Sequence, residues 1–183
     1  MKEQIEKIGN ISIKIVVPGT MPEVDHSGYV SMVSALTFLY KDVMWPRTEE
    51  KIQKCFDKGH SVLLIDELSS ALLAHASVKW VSTNNPILEI GTVVVNPNFK
   101  GKGLGLKATS LAIDLAKEKY PGYQLFAFCN PESLGLFKKL GWVEVQKGDL
   151  PPEVWDGCTT CPNKQMAVDA GKICCDTVVI LPK

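Results

Sequence analysis

Arginine is almost missing from this chain. Of its twenty basic residues nineteen are lysine, and Arg47 is the single arginine. Bidentate guanidinium clamps are therefore nearly unavailable, and any phosphate must be held by backbone amides and by lysine as a point charge. An excess of either charge is missing too. Twenty acidic residues balance the basic ones to a formal net charge of zero, which argues against a generic nucleic-acid binder, since that role needs a basic surplus. No apolar run approaches the roughly 20 residues of a membrane span. The opening MKEQIEKIGN carries charge but no apolar h-region, so the expectation is no secretory signal, no membrane partner and a cytoplasmic protein. Internal repeats and low-complexity stretches are also absent.

What is present is an ordinary globular composition. The chain has 183 residues, 45% of them hydrophobic, enough for one domain with a real core. ISIKIVVP reads as a strand, followed by a helix from about Pro22 to Tyr40 and a second helix over RTEEKIQKCFDKG, with Thr48 as N-cap and Gly59 as stop. SVLLID, ALLAHASVKWV and PILEIGTVVVNP are three strands divided by turn signals. GLGLKATSLAIDLAKEKY is a helix with Leu104, Ala108, Leu111, Ala112 and Leu115 on one face. YQLFAFCN, WVEVQK and DTVVILPK are strands, with the short helix PESLGLFKKLG after the first of them. Short turns join antiparallel strands, whereas the helix starting at Leu104 demands a crossover between parallel ones. The expected fold is α/β (α+β): a mixed central sheet of about seven strands with helices on both faces, one domain over 1–183.

VVVNPNFKGKGLGLKATS, Val93 to Ser110, carries alternate glycines between a strand and a helix. Such a loop exposes N–H groups at a helix N-terminus, where a phosphate is favoured. The P-loop pattern is not met by these glycines. Gly103 to Ala108 fits G-x-G-x-x-A, but a dinucleotide fingerprint belongs in an early βαβ unit, and here antiparallel hairpins precede it. A plain glycine-rich turn is the structural alternative.

Coenzyme A is the third reading. Lys100-Gly101-Lys102-Gly103-Leu104-Gly105 resembles the [QR]-x-x-G-x-[GA] signature of the GNAT superfamily of N-acetyltransferases, with lysine at the first position. NPESLGLFKKLGW, Asn130 to Trp142, resembles that family's N-x-x-A-x-x-L-Y-x-K-x-G-F helix. The two motifs stand in the family's order over residues 10–147. The resemblance implies acetyl-CoA as co-substrate, its pantetheine arm along Val93, Val94 and Val95, and its pyrophosphate on the loop of Lys100, Gly101, Lys102, Gly103, Leu104, Gly105 and Leu106. Asn130, Ser133 and Phe137 belong to the second motif. Lys107 adds charge nearby.

The resemblance also implies direct acetyl transfer to an amine, with the amide of Val93 aimed at the thioester carbonyl. Glu89 stands eleven residues before Lys100, the spacing of the family's carboxylate base, and its neighbours Leu88 and Ile90 would strip it of water as a base requires. The alternative is a solvated glutamate on an outward face. Phe137 occupies the place of the family's tyrosine, which commonly protonates the departing thiolate, and it cannot donate a proton. That loss also suits a non-catalytic acyl-CoA-binding or sensing module. The acceptor, like the choice between monomer and homodimer, is not readable. His60 and His75 read as structural.

Four of the six cysteines, Cys158, Cys161, Cys174 and Cys175, fall in a segment over 150–176 ahead of the last strand. CTTCPNK resembles the knuckle of zinc-ribbon sites, so zinc on these four thiols is the expectation, with a disulfide or free thiols as alternatives and a zinc-knuckle interaction protein as a further reading.

Overall fold

A computed structural model of the chain describes residues 4–19, 26–80, 84–161 and 177–182. These form β1 (Gln4–Ile8), β2 (Ile11–Val16), α1 (Ser27–Leu39), α2 (Glu49–Asp57), β3 (Ser61–Asp66), β4 (Leu72–Trp80), β5 (Ile87–Val95), α3 (Leu104–Lys119), β6 (Gln124–Cys129), α4 (Pro131–Lys139), β7 (Val143–Glu144) and β8 (Thr177–Ile180). One mixed sheet runs β1-β2-β3-β4-β5-β6-β8-β7. Its neighbours are antiparallel except β5 and β6, which are parallel and joined through α3.

The mixed α/β architecture matches the expectation, with one strand more. β1 is the addition. Ile8 faces Ile11 across a two-residue loop, Gly9-Asn10, in which Gly9 takes φ +58°. Its burial is shallow, and an ion pair between Glu6 and the Lys107 ammonium (2.6 Å) ties it to α3.

Side chains alternate between the two faces of the sheet except at bulges in β3–β4 and β4–β5. On one face Val62 and Leu64 of β3, Leu88 and Ile90 of β5, and Leu125 and Ala127 of β6 pack with Leu104, Ala108, Leu111, Ala112 and Leu115 of α3 and with Phe137 of α4. The expected apolar face of α3 is thus the buried one. The other face has two covers. Leu63, Ile65 and Leu72 meet Val30 and Val33 of α1 and Ile52 and Phe56 of α2. Ile87, Phe126 and Val178 meet Leu150 and, from a 3-10 segment over Pro152–Thr160, Val154. Glu89, opposite Phe126 on β6 and Lys79 on β4, sits on this second face near where the two covers adjoin.

Candidate active site

The site begins where the two parallel strands part. β5 and β6 are paired at Ile87–Gln124, Leu88–Leu125 and Glu89–Phe126. Beyond Glu89, β5 runs on to Val95 without that neighbour. On its other side β5 carries an extra residue against β4: Ser77 faces Gly91 and His75 faces Val94. Thr92, inside this bulge, takes φ +49°, a left-handed conformation that is strained for a β-branched side chain. His75 holds it there. The fully buried imidazole donates from Nδ1 to the Thr92 carbonyl (2.9 Å) and accepts from the Ser61 hydroxyl at Nε2 (3.2 Å). Burial lowers the His75 pKa to about 4, so the ring is neutral and that tautomer is fixed.

A cleft of about 540 Å³ opens along the freed edge of β5. Val93, Val94 and Val95 line it, as do Lys100, Gly101, Gly103, Leu104 and Gly105. Gly101 and Gly103 both take φ +77°, which only glycine adopts without strain, and the space a side chain would fill at either is open. Lys107 donates its N–H to the Gly103 carbonyl (3.0 Å) as the first helical bond of α3, leaving the amides of Leu104, Gly105 and Leu106 without intrahelical acceptors. A Cβ on Gly105 would lie 3.2 Å from Val95 and 3.3 Å from Leu136; glycine lets α3 seat this close to β5 and α4. Lys102 and Leu106 do not line the cleft, and the Lys102 ammonium lies 5.5 Å over the Phe99 ring. The charge of Lys107 is taken by Glu6 rather than offered to the loop.

Glu89 lines the cleft and is buried, 7% exposed. The solvated alternative is thereby removed. The Lys79 ammonium lies 3.0 Å from one carboxylate oxygen. The other folds over Gly91, where a Cβ would come within 2.9 Å of it. Gly91 thus gives the carboxylate room to lie along the strand toward Val93. Asn130 caps α4 by accepting from the Ser133 amide (2.8 Å) and donates to the Val43 carbonyl (2.8 Å). Ser133 and Phe137 line the cleft beside it, with the Phe137 ring 4.9 Å from that of Trp142.

A family model described as the Acetyltransferase (GNAT) family matches residues 30–142, more than half of the sequence. The chain belongs to the GNAT family. A stretch of 83 residues is 31% identical to an uncharacterized N-acetyltransferase of Chlorobaculum tepidum, covering 45% of this chain and 51% of that one; the chain spans about half the length of that relative. Among solved structures, Rv2747 of Mycobacterium tuberculosis, in complex with CoA, superposes with a TM-score of 0.68 at 14% identity over 92% of this chain and 98% of that one. N-acetylglutamate synthase of Neisseria gonorrhoeae, complexed with CoA and N-acetyl-glutamate, gives 0.66 at 16% identity over 93% and 35%. At these identities the likeness is one of fold.

In this GNAT chain the geometry adds residues that the motifs do not contain. Lys79 and Gly91 flank Glu89, His75 secures the bulge, and Tyr40 donates to the Val95 carbonyl (2.8 Å) while its ring carries the Lys100 ammonium at 4.6 Å. The cysteine quartet is only partly in view. Cys161 is half-buried and lines the cleft; Cys158 lies in the Pro152–Thr160 segment with its side chain outside the description. Cys174 and Cys175 lie outside the described residues. Among the described residues no three His, Cys, Asp or Glu side chains form a metal-holding group, and no described helix is long and apolar enough to cross a membrane.

Proposed function

We propose that this chain is an N-acetyltransferase that moves the acetyl group of acetyl-CoA directly to an amine. The observation that carries the proposal is the edge of β5 over 93–95 that β6 leaves unpaired, opening onto the glycine loop and the amides of α3 in one cleft that also holds a buried carboxylate. The pyrophosphate sits on the loop, where the helix dipole and free amides favour it, with Lys100 the lysine that adds charge from within the cleft. Pantetheine lies along Val93 to Val95 as an added strand. Glu89 takes a proton from the acceptor's ammonium. The amine nitrogen then bonds to the thioester carbon, the developing oxyanion is met by the Val93 amide, the C–S bond breaks, CoA leaves as the thiolate and the nitrogen gives its second proton to water. Phe137 offers no proton to that sulfur, so the thiolate leaves unassisted or takes its proton from water, which a thiol pKa near 8.5 tolerates.

The test is turnover of acetyl-CoA with a panel of amines. Wild type releases CoA with at least one of them, and Glu89→Gln is slower by about 10²–10⁴-fold, the usual worth of a positioned base, with acetyl-CoA affinity retained. The same Phe137 favours one second reading, a non-catalytic acyl-CoA-binding module; acetyl-CoA binding with no turnover on any amine would select it. A zinc ion on Cys158, Cys161, Cys174 and Cys175 is part of the proposal on their spacing alone, as a wall of the acceptor side with no step in the chemistry.

A further inference from the structure

The two covers of the Glu89 face each bring an uncommitted charge to the cleft. Arg47, in the loop between α1 and α2, comes from one. Its N–H donates to the Thr37 hydroxyl (2.8 Å) and its carbonyl accepts from the Ser34 hydroxyl (2.8 Å), both of them buried side chains. The guanidinium carbon lies 5.5 Å from the centroid of the Trp45 ring, which also lines the cleft. No carboxylate among the described residues pairs with it. Glu153, from the Pro152–Thr160 segment, is the other. One of its oxygens accepts from the Asn85 amide (3.0 Å), and the second is buried with no hydrogen-bond partner. Leaving a buried carboxylate oxygen unmet is expensive, so the place for a donor is ready.

Arg47 shares the cleft with Trp45, Lys79, Glu89 and Glu153. Lys79 is engaged with Glu89 and Lys100 lies over Tyr40. An acceptor carrying only positive charge would bring its ammonium toward a guanidinium that has no counter-ion among the described residues. An acceptor carrying both signs satisfies both covers.

We propose that the acceptor is an amino acid, with its carboxylate held by Arg47 and its ammonium received by Glu153 beside Glu89. This rests on the acetyltransferase reading above. A guanidinium matches a carboxylate with two parallel N–H bonds, and the single arginine of the chain then has that task. The product is an N-acetylated amino acid that keeps its carboxylate.

The experiment titrates wild-type protein first with CoA, then, once loaded, with N-acetyl derivatives of the common L-amino acids and with their carboxamides. At least one acid binds about tenfold or more tighter than its amide, as a charge-assisted pair requires. Arg47→Ala removes that preference and leaves CoA affinity unchanged. With the amino acid so identified, Glu153→Gln raises the KM for acceptor and not for acetyl-CoA. Acids and amides of equal affinity throughout, or an Arg47→Ala loss that falls on CoA instead, would overturn the amino-acid assignment while the donor site stands. An unchanged acceptor KM in Glu153→Gln would remove Glu153 from it. Failure of CoA itself to bind would bring down the donor reading and this inference with it.

Discussion

Gly91 is a residue whose role lies in what it leaves out. It stands two positions from Glu89 on the same strand face, and a methyl group there would meet a carboxylate oxygen at 2.9 Å. The strand tolerates alanine, so the carboxylate must swing instead. Gly91→Ala is expected to fold normally, bind acetyl-CoA as wild type does and turn over about 10- to 100-fold more slowly, the scale of a misplacement of about 1 Å. Steady-state kinetics beside a binding titration reads both; a variant with wild-type turnover would mean that the carboxylate's position is immaterial. Gly103 makes the opposite case. Its φ of +77° and the open space around it mean that Gly103→Val strains the backbone by about 1–3 kcal/mol without a clash inside the protein. The loss falls on stability by that amount and on CoA affinity, through the β-branched side chain set where the pyrophosphate approaches; unchanged CoA affinity would undo the loop assignment. At this scale the motifs carried much. Glu89, Val93 and the glycines were legible because each is placed by register along a strand or a turn. Lys79, Arg47 and Glu153 were not, because they come to the cleft from distant elements and no local spacing encodes that.

At the scale of elements, the β4–β5 pair holds the site in shape. Thr92 holds its strained bulge with its carbonyl bonded to the His75 Nδ1–H; a proton on Nε2 would cost the bond accepted there from Ser61, and burial keeps that proton off His75. Its pKa in the fold is about 4 against an ordinary 6.5. Between these values the unfolded chain binds a proton that the folded chain refuses. Stability therefore rises with pH through that window and falls on acidification from 6.5 toward 4, with a slope approaching about 1.4 kcal/mol per pH unit for this group. His60, beside the Tyr120 hydroxyl at 2.5 Å, is lowered to about 4 as well, by burial and then by the charges of Lys119 and Lys58, and adds in the same direction. Urea unfolding across the window should show a shallower slope in His75→Gln than in wild type, and equal slopes would contradict the account. The bulge was hidden from the sequence because the residue that takes the left-handed conformation is Thr92 and not its neighbour Gly91. β1 had a local signal, a Gly-Asn pair between isoleucines of the kind that forms two-residue hairpin loops, but its charged, lightly buried strand resembles a solvated arm. The parallel step through α3 was legible because the 3.6-residue period of that helix is clean, and the strands because turn signals bound their apolar runs.

For the whole molecule, the sheet places the edge of β5 that β6 leaves unpaired and two covers around Glu89. The cysteine segment joins one of those covers. If its four thiols hold zinc, elemental analysis of the purified chain should give about one equivalent, lost in Cys158→Ser with acetyl-CoA binding retained; a metal-free chain with a disulfide among them would reverse that reading. The central claim is simpler and does not depend on the metal: the gap between β5 and β6 is a site for a CoA thioester. Calorimetric titration of wild-type protein with acetyl-CoA tests it most directly, paired with a thermal melt. Saturable binding is expected, with unfolding free energy raised by about 2.7 kcal/mol at a ligand concentration of 100 times Kd, and both signals lost in Gly103→Val. No heat of binding and no shift in Tm with acetyl-CoA at millimolar concentration would contradict it.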